Sequence, residues 1–525
     1  MSPRRNGWRI KQRSGVSKKE QLIDDSIKQM KRIDSQLKDS RSKMGDIFKD
    51  SDDISFHDYQ FGHHLSIQSF IMHCQSLVQK EKVNFVKSLL QDVVKHEVGP
   101  ANEITLDRLK HFVINHGVTN ETPVLINDYE EATTKVLAGY FVLFIDGWDQ
   151  ALAFEAISIE GRAVDEPSTE SVIIGPHEGT VEDLKKNIGL IRSRMQSKHL
   201  KLKSMHVGKV SRTEIAYMYL EGAVDAEVLS EFERRMEKVK ELEILETTFI
   251  EELIEDSTLS PFPQYRYTER PDTANAALLD GKIIVLVHGT GSILICPALY
   301  LELFQSVEDY YQRSIISTTI RLMRFIAVII ALTLPSVYIA LSTFHPEMIP
   351  TILLLAIINT REGIPFPALI EALIMVFFFE LMREAGIRMP KPVGQAVSIV
   401  GALIIGEAAI QAGIASPIMV VVVALTGISS FAVPQYNLGI SYRILQFPLM
   451  FLAATLGGFG IMVGLLLILL HLSSLRSLGI PYLAPFAPLR PNKLRDAFIR
   501  VSIGKLLRSP RNHKEHQFPQ ASNEK

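Results

Sequence analysis

Residues 361–417 decide how the C-terminal half of the chain folds; they read REGIPFPALIEALIMVFFFELMREAGIRMPKPVGQAVSIVGALIIGEAAIQAGIASP. The stretch is apolar enough for a lipid bilayer, yet it carries Glu371, Glu380 and Glu407, five prolines and a cluster of basic residues. Ionisable side chains are costly in hydrocarbon, and where they occur they mark ion or substrate pathways by default. We therefore expect a functional site in this half of the chain.

Charge is unevenly distributed along the 525 residues. Lys and Arg number 56 and Asp and Glu 58, but the chain is ordinarily charged up to about residue 320 and mostly apolar from Arg324 to Leu472. The first 19 residues hold seven Lys or Arg and no acidic residue, and the tail is also basic. Beside membrane spans, such ends indicate contact with anionic membrane lipid rather than with nucleic acid.

The N-terminal part is expected in the cytosol. No apolar run follows the basic N-terminus, as a cleavable signal peptide would require. Cys74 and Cys296 have no zinc-ligand spacing and are expected to be free thiols in a reducing compartment.

Five regions follow from composition. We expect a disordered basic and polar arm (1–55), two small α/β subdomains (56–160 and 161–318), a transmembrane helical domain (319–472) and a basic tail (473–525). The fold class is thus an α/β soluble N-terminal region followed by an all-α polytopic membrane domain.

Two similar patterns suggest that the α/β subdomains are related. LAGYFVLFIDGWDQALAFEAI (137–157) and LLDGKIIVLVHGTGSILICP (278–297) each predict a β-hairpin. Gly139 and Gly147 frame one apolar strand, and Gly281 and Gly289 frame the other with the same spacing.

Several apolar runs predict membrane helices. The run after Arg324 is long enough to span a bilayer, and clear spans follow at roughly Gly394–Gly413, Ile414–Val433 and Phe447–Leu470. Residues 349–382 hold two shorter runs separated by a polar break, which predicts a broken or re-entrant element. The glycines at 457–460 favour close helix packing over nucleotide binding.

Basic residues conflict over topology. Arg321 and Arg324 place the start of the membrane part inside, and Arg490 and nearby residues also place the tail inside. Four spans with a re-entrant 349–382 satisfy both but leave Arg388 outside. If 349–382 crosses, Arg388 lies inside and the tail outside. We favour four spans because the tail carries more positive charge.

The sequence contains no well-supported catalytic motif. His288-Gly289-Thr290-Gly291 resembles an oxyanion loop, but no G-x-S-x-G nucleophile elbow accompanies it, and a hairpin turn explains it better. The sequence has no phosphate-binding loop of the Walker type and no metal-ligand spacing among its 15 histidines. We expect neither enzyme activity nor a metal or cofactor.

The intramembrane carboxylates have two alternative interpretations. On a helix, Glu407 and Gln411 share a face, which suits either a polar pathway or an interhelical hydrogen bond. Glu371 lies deeper than Glu380, and it is a third candidate for a pore or polar pathway. A different face of the same helix carries mostly small residues, which suits helix packing. Its members are Gly394, Ser398, Gly401, Ile405, Ala408 and Ala412.

Long blocks of the sequence resemble one known family. They include GPHEGTVEDLKKNIGLIRSRM (175–195), IEDSTLSPFPQYRYTERPD (254–272), PSVYIALSTFHPEMIPT (335–351) and GIPYLAPFAPLR (479–490), besides residues 361–417. In these blocks the chain resembles the A subunit of the GerA-type spore germination receptors of endospore-forming bacteria.

The resemblance implies a nutrient germinant receptor that acts in the spore inner membrane, its soluble region facing the cytosol or spore core. It implies a transporter-like B subunit and a lipoprotein C subunit as partners, and a homo-oligomer that forms an ion-conducting pore. A secondary transporter is the alternative, since discontinuous helices such as 349–382 bind substrates in transporters.

Overall fold

The structure is a computed structural model that describes residues 32–61, 67–96, 123–157, 167, 170, 172–390, 401, 404–489 and 496–501. The chain divides into two compact units, and each is described by itself. The first comprises 1–161 and 188–203, and the second comprises 162–187 and 204–525.

The first unit is built on a five-stranded antiparallel sheet in the order β1-β2-β4-β5-β3. Its elements, in chain order, are α1 (Leu37–Ile47), β1 (Ile54–Phe61), β2 (Ile67–Cys74), α2 (Lys80–His96), β3 (Val124–Ile126), α3 (Tyr129–Leu137), β4 (Tyr140–Ile145) and β5 (Ala151–Glu155). The hairpin predicted over 137–157 is confirmed, with Val142 opposite Ala153.

Both faces of this sheet are covered, which explains why β4 is apolar without alternation. Successive side chains of a strand point to opposite faces. Val142 and Phe144 pack in one core with Met44 of α1 and Val136 of α3. Their strand neighbours Phe141, Leu143 and Ile145 pack in a second core with residues of α2.

The prediction of a disordered arm over 1–55 is wrong for residues 32–55. Helix α1 has few large apolar side chains, but Met44 is fully buried and Phe48 nearly so. The Ser40 hydroxyl is 2.9 Å from the Tyr129 hydroxyl. The helix is stabilised by these tertiary contacts rather than by its own composition. Residues 1–31 lie outside the described part.

A second sheet has the same strand order, β6-β7-β9-β10-β8. Its elements are α4 (Leu184–Arg194), β6 (Leu200–Val207), β7 (Thr213–Leu220), α5 (Ala226–Val239), α6 (Thr247–Ile254), β8 (Arg266–Thr268), α7 (Pro271–Leu279), β9 (Ile283–Val287) and β10 (Ile293–Cys296). We call this sheet, with residues 172–187 and 204–304, the second α/β subdomain; residues 188–203, which hold most of α4 and the start of β6, are counted with the first unit.

The predicted relation between the two hairpins is confirmed. In each sheet a short edge strand leads into a nine-residue helix and then into the hairpin. All four framing glycines have positive φ, between 76° and 92°, a conformation that side-chain-bearing residues rarely adopt. The motif at 288–291 lies in the turn between β9 and β10, as predicted.

Helices follow the second α/β subdomain. They are α8 (Glu308–Tyr311), α9 (Ser314–Thr343), α10 (Thr351–Arg361), α11 (Ala368–Arg388), an unlabelled helical segment at 404–411, α12 (Pro417–Ser430) and α13 (Tyr436–Ser474). Two of the described helices, α9 and α13, are long and apolar enough to cross a membrane. The polar break expected within 349–382 separates α10 from α11. A short hairpin of β11 (Arg476–Ser477) and β12 (Ile480–Pro481) follows α13.

Helix α13 is a helical hairpin, and the single span predicted at Phe447–Leu470 is therefore wrong. Gly457 has φ 60° and ψ −140°, which breaks the helix. A Cβ added at Gly460 would lie 2.0 Å from the carbonyl oxygen of Leu452, and one added at Gly464 would lie 2.5 Å from Leu449. In a continuous helix, residues 449 and 464 would be separated by about 22 Å. The two halves therefore run antiparallel, and the glycines permit the close packing expected of them.

The helical region has two ends, which we call the subdomain end and the opposite end. At the subdomain end the Tyr300 and Tyr442 hydroxyls are 2.7 Å apart, and the Tyr482 hydroxyl donates to the Pro263 carbonyl. At the opposite end, Phe344 contacts the Gly457 turn. Helix α9 and the first half of α13 run away from the subdomain end, and the second half of α13 returns to it.

The remaining helices alternate in the same way. Helix α11 begins beside Ser416, and its second half passes α13, since the carboxylate of Glu380 lies 4.0 Å from Arg443. Farther along the chain, Gly401 lies beside Met382, and Gly413, after the helical segment 404–411, lies beside Gly363 at the opposite end. Helix α12 then returns to the subdomain end.

Within the helical region, this course differs from the expected re-entrant element. Residues 368–388 run through the helical region instead of turning back within it. The two halves of α13 add a pass that the sequence did not indicate. The ends of α11 and of α13 consequently lie at the same end of the helical region as the start of α9, and the sidedness of the basic segments in a membrane stays a prediction.

Candidate functional site

Glu407 and Gln411 lie together on an exposed face of the helical segment 404–411. The Gln411 side-chain amide donates to Glu407 Oε1 over 3.1 Å, as their four-residue spacing predicts. Both side chains are exposed, and the neighbouring Ile404 is 59% exposed. The segment thus presents a polar pair among apolar side chains on a surface that this copy of the chain leaves uncovered.

The predicted face of small residues is described only in part. Gly394 and Ser398 lie outside the described residues. Gly401 is half-buried, and an added Cβ would lie 3.4 Å from the sulfur of Met382. Ala408 and Ala412, expected on the same face, are exposed, whereas Ala409 is buried. The segment therefore buries a different face against α11 and α12 from the one that spacing alone favoured.

Glu371 has the opposite environment to Glu407. Its side chain is fully buried, and Oε1 accepts from the backbone N–H of Ser416 at 2.6 Å and from the Ser416 hydroxyl. Ser416 is the N-cap of α12, and its side chain in turn accepts from Met419 N–H. A carboxyl group at a helix N-terminus is favoured by the helix dipole and by the free N–H groups there.

One polar atom of Glu371 remains without a hydrogen bond among the described residues. Oε2 is buried and lies 3.9 Å from a guanidinium nitrogen of Arg361 at the end of α10. Glu371 therefore connects three elements, α10, α11 and α12. The structure does not bring it together with Glu407 and Gln411, which lie on the exposed face.

Sequence reasoning missed a buried ionic cluster at the subdomain end. Asp309 of α8 accepts from Arg321 at 2.9 Å and from Arg324 at 2.8 Å, both on α9. Arg321 also contacts Asp496 of the tail at 3.5 Å. The only available signal was the presence of two arginines one helical turn apart at the head of an apolar span. Their carboxylate partners lie 12 and 175 residues away from Arg321, beyond the reach of local spacing.

Among the described residues, no group of three or more His, Cys, Asp or Glu side chains is placed to hold a metal ion. Cys74 and Cys296 are free and buried, and burial raises the pKa of Cys74 to about 12. A buried thiol with a raised pKa is unreactive.

Comparisons with known proteins identify the same family that the sequence blocks resemble. The family model described as Bacillus/Clostridium GerA spore germination protein matches residues 42–512. The chain is 39% identical over 484 residues to the uncharacterized membrane protein YfkQ of Bacillus subtilis, covering 91% of each chain. It is 41% identical over 451 residues to spore germination protein KA of the same organism, covering 86% of this chain and 82% of the relative.

Among solved structures, the N-terminal domain of the A subunit of the Bacillus megaterium spore germinant receptor GerK3 matches 51% of this chain and 97% of its own length. The TM-score is 0.40 and the identity 23%. Because the family model spans most of the sequence and the relatives align along most of their lengths, the chain belongs to the GerA family of spore germination proteins.

Proposed function

We propose that this chain is the membrane A subunit of a nutrient germinant receptor and that it contributes Glu407 and Gln411 to a gated ion-conducting pore. Its family membership supports the role in spore germination. The exposed Glu407–Gln411 pair carries the pore proposal. A carboxyl group facing lipid is costly, so this face is better placed against a second copy of the chain or an aqueous lumen.

A homo-oligomer would repeat Glu407 around a central axis. Rings of acidic side chains favour cations over anions, and Glu407 is an exposed acidic side chain among apolar ones. Glu371 would act differently, by fixing the start of α12 relative to α10 and α11. The gate would then open by a movement of these helices, and Glu371 would not contact the ion.

The proposed setting is the spore inner membrane, with the α/β subdomains on the cytosolic side. Basic residues at the subdomain end support this orientation because cytoplasmic ends of membrane helices are enriched in Lys and Arg; they include Arg313, Arg321, Arg324, Arg383, Arg388 and Arg476. A transporter-like B subunit and a lipoprotein C subunit complete the proposed receptor. Binding of a nutrient elsewhere in the complex would open the pore if it favours the open state. No catalytic role is proposed.

Substitution of Glu407 by Gln tests the pore proposal. Spores that carry the variant receptor should assemble normally but release potassium with altered selectivity or an altered germinant threshold, because the carboxylate charge is removed while the side-chain shape is kept. Glu384→Gln is the matched control, since Glu384 is an exposed glutamate of α11 paired with Arg388. Potassium release identical to that of the wild type would count against the pore role.

A secondary transporter is the second candidate, favoured by the breaks between α10 and α11 and at Gly457. Discontinuous helices provide substrate sites in many transporters. The two functions differ in a flux assay on the purified chain in liposomes. Saturable uptake of a labelled nutrient by the chain alone would favour transport, whereas ion flux that needs the other receptor subunits would favour the receptor.

A further inference from the structure

A cavity of about 360 Å³ lies within the second unit, at the subdomain end of the helices. Its walls come from two sources. The second α/β subdomain contributes Arg266 and Arg270, and the helical region contributes Arg324, Arg443 and the turn at 431–435 between α12 and α13. The proposed pore face does not line this cavity.

Four arginines are an unusual lining, and their ion pairs are unequal. Arg270 pairs with Asp272 at 2.7 Å, and Arg324 pairs with Asp309 at 2.8 Å. Among the carboxylates of the described residues, that of Glu380 is the nearest to Arg443, at 4.0 Å. Arg266 has no carboxylate within ion-pair distance among the described residues.

Three of these guanidinium groups have a buried N–H without a hydrogen-bond partner in the described part of the chain. The atoms are Nε of Arg266, Nη1 of Arg270 and Nε of Arg443. Arg270 is 2% exposed, so bulk water does not replace the missing partner. Charged donors left unpaired in this way are destabilising, and an acceptor in the cavity would offset the cost of placing four guanidinium groups around it.

The two acidic residues of the lining do not supply that acceptor. Glu170 accepts from the Thr268 hydroxyl and, at 3.4 Å, from the Gln435 side-chain amide. Glu308 accepts from the backbone N–H groups of residues 173 and 174. Burial also raises the pKa of Glu170, although Arg266 and Arg270 oppose that shift. The described hydrogen bonds of these two carboxylates therefore come from neutral donors, and Glu170 is in addition attracted electrostatically to Arg266 and Arg270.

We propose that this cavity binds a phosphate group, carried either by a soluble phosphate ester or by the headgroup of an anionic phospholipid. Guanidinium forks match phosphate oxygens in geometry and charge. The volume lies at the lower end of the range for small-molecule sites, and Phe431, Val433 and Pro434 give it an apolar wall. Basic pockets beside membrane helices are typical sites for lipid headgroups.

A phosphate bound there would contact the second α/β subdomain and α13 at the same time. Arg266 and Arg270 would hold it from one side and Arg443 from the other. The ligand would thus hold the turn at 431–435 against the subdomain, and any difference in its affinity between two arrangements of that turn would shift their populations. This site goes beyond the proposed pore and does not depend on it.

Thermal unfolding of the full chain in phosphatidylcholine nanodiscs tests the proposal. Added glycerol 3-phosphate should raise the melting temperature saturably relative to chloride at equal ionic strength, since a ligand that binds the native state stabilises it. An increase that instead requires phosphatidylglycerol in the disc identifies the lipid headgroup as the source. No increase with either probe would overturn the proposal.

Variants locate the effect. Arg266→Gln and Arg443→Gln should each weaken the response roughly tenfold in apparent affinity, because each removes a charged donor. Arg234→Gln is the control, since Arg234 is an exposed arginine of α5 whose partner is Glu231. If Arg266→Gln fails to fold, Arg443→Gln still decides the question. Responses unchanged in a folded Arg443 variant would place the phosphate elsewhere and contradict the site.

Discussion

Glu371 and Glu407 occupy the same apolar stretch of sequence but have opposite surroundings. Glu371 is fully buried and is held by the N-cap of α12. Glu407 is exposed, and its described hydrogen-bond partner, Gln411, lies on its own helix. One carboxyl group thus contributes to the packing of three helices, whereas the other is exposed on the surface of the chain.

The contrast shows why an acidic residue in an apolar helix is not by itself a site. Membrane helices require every buried polar group to find a partner. Glu371 supplies such a partner to the Ser416 N–H and hydroxyl. Glu407 supplies none beyond its own helix, so its presence on that surface needs a different explanation. Substitutions at the two positions should therefore separate stability from function.

Replacement of Glu371 by Ala should cause the largest loss of stability. The change leaves the Ser416 N–H and hydroxyl without their acceptor and creates a small cavity, so we expect a loss of about 3 kcal/mol. Thermal unfolding of the full chain in nanodiscs, followed by far-ultraviolet circular dichroism, measures it. Glu371→Gln keeps an oxygen acceptor and should lose less.

Glu384→Ala is the control for this prediction. Glu384 is on the same helix but is exposed, and its pair with Arg388 resembles a surface salt bridge, whose contribution is about 0–1 kcal/mol. If Glu371→Ala unfolds at the same temperature as Glu384→Ala, Glu371 does not hold α12, and the proposed contrast fails.

Replacement of Ser416 by Ala should have an intermediate effect. The hydroxyl both donates to Glu371 and caps Met419 N–H, while the backbone N–H that Glu371 also accepts from is kept. Loss of an N-cap costs about 1 kcal/mol. The double variant with Glu371→Ala should lose less than the sum of the two single losses, because the residues share one contact. Strict additivity would contradict the shared contact.

Much of the α/β region could be predicted from the sequence. The hairpins at 137–157 and 278–297 consist of apolar runs around short glycine-containing turns, and both formed as predicted. Helix α1 was missed because its stability comes from Met44 and Phe48 packing against residues that are distant in sequence. Composition over a short window cannot register such contacts.

The helical region was harder to predict from the sequence, and the reason is different. The pairing of Glu407 with Gln411 follows from helical spacing, but the contact of Glu371 with Ser416 joins residues 45 positions apart. The hairpin at Gly457 was hidden because glycines in an apolar run equally suit close packing within a straight span. The predicted topology was affected by this error, because it depends on how many times the chain runs through the helical region.

Replacement of Glu407 by Ala should have the smallest effect on stability, within about 0.5 kcal/mol of zero, because an exposed side chain is removed and Ala favours helix. Gln411→Ala should behave alike, since it removes the other half of the same pair. Thermal unfolding under the conditions used for Glu371→Ala provides the comparison. A loss as large as that of Glu371→Ala would mean that Glu407 is a structural contact within the folded assembly. A small loss together with altered potassium release would instead separate the two carboxyl groups, one that holds the helices and one that faces the ion.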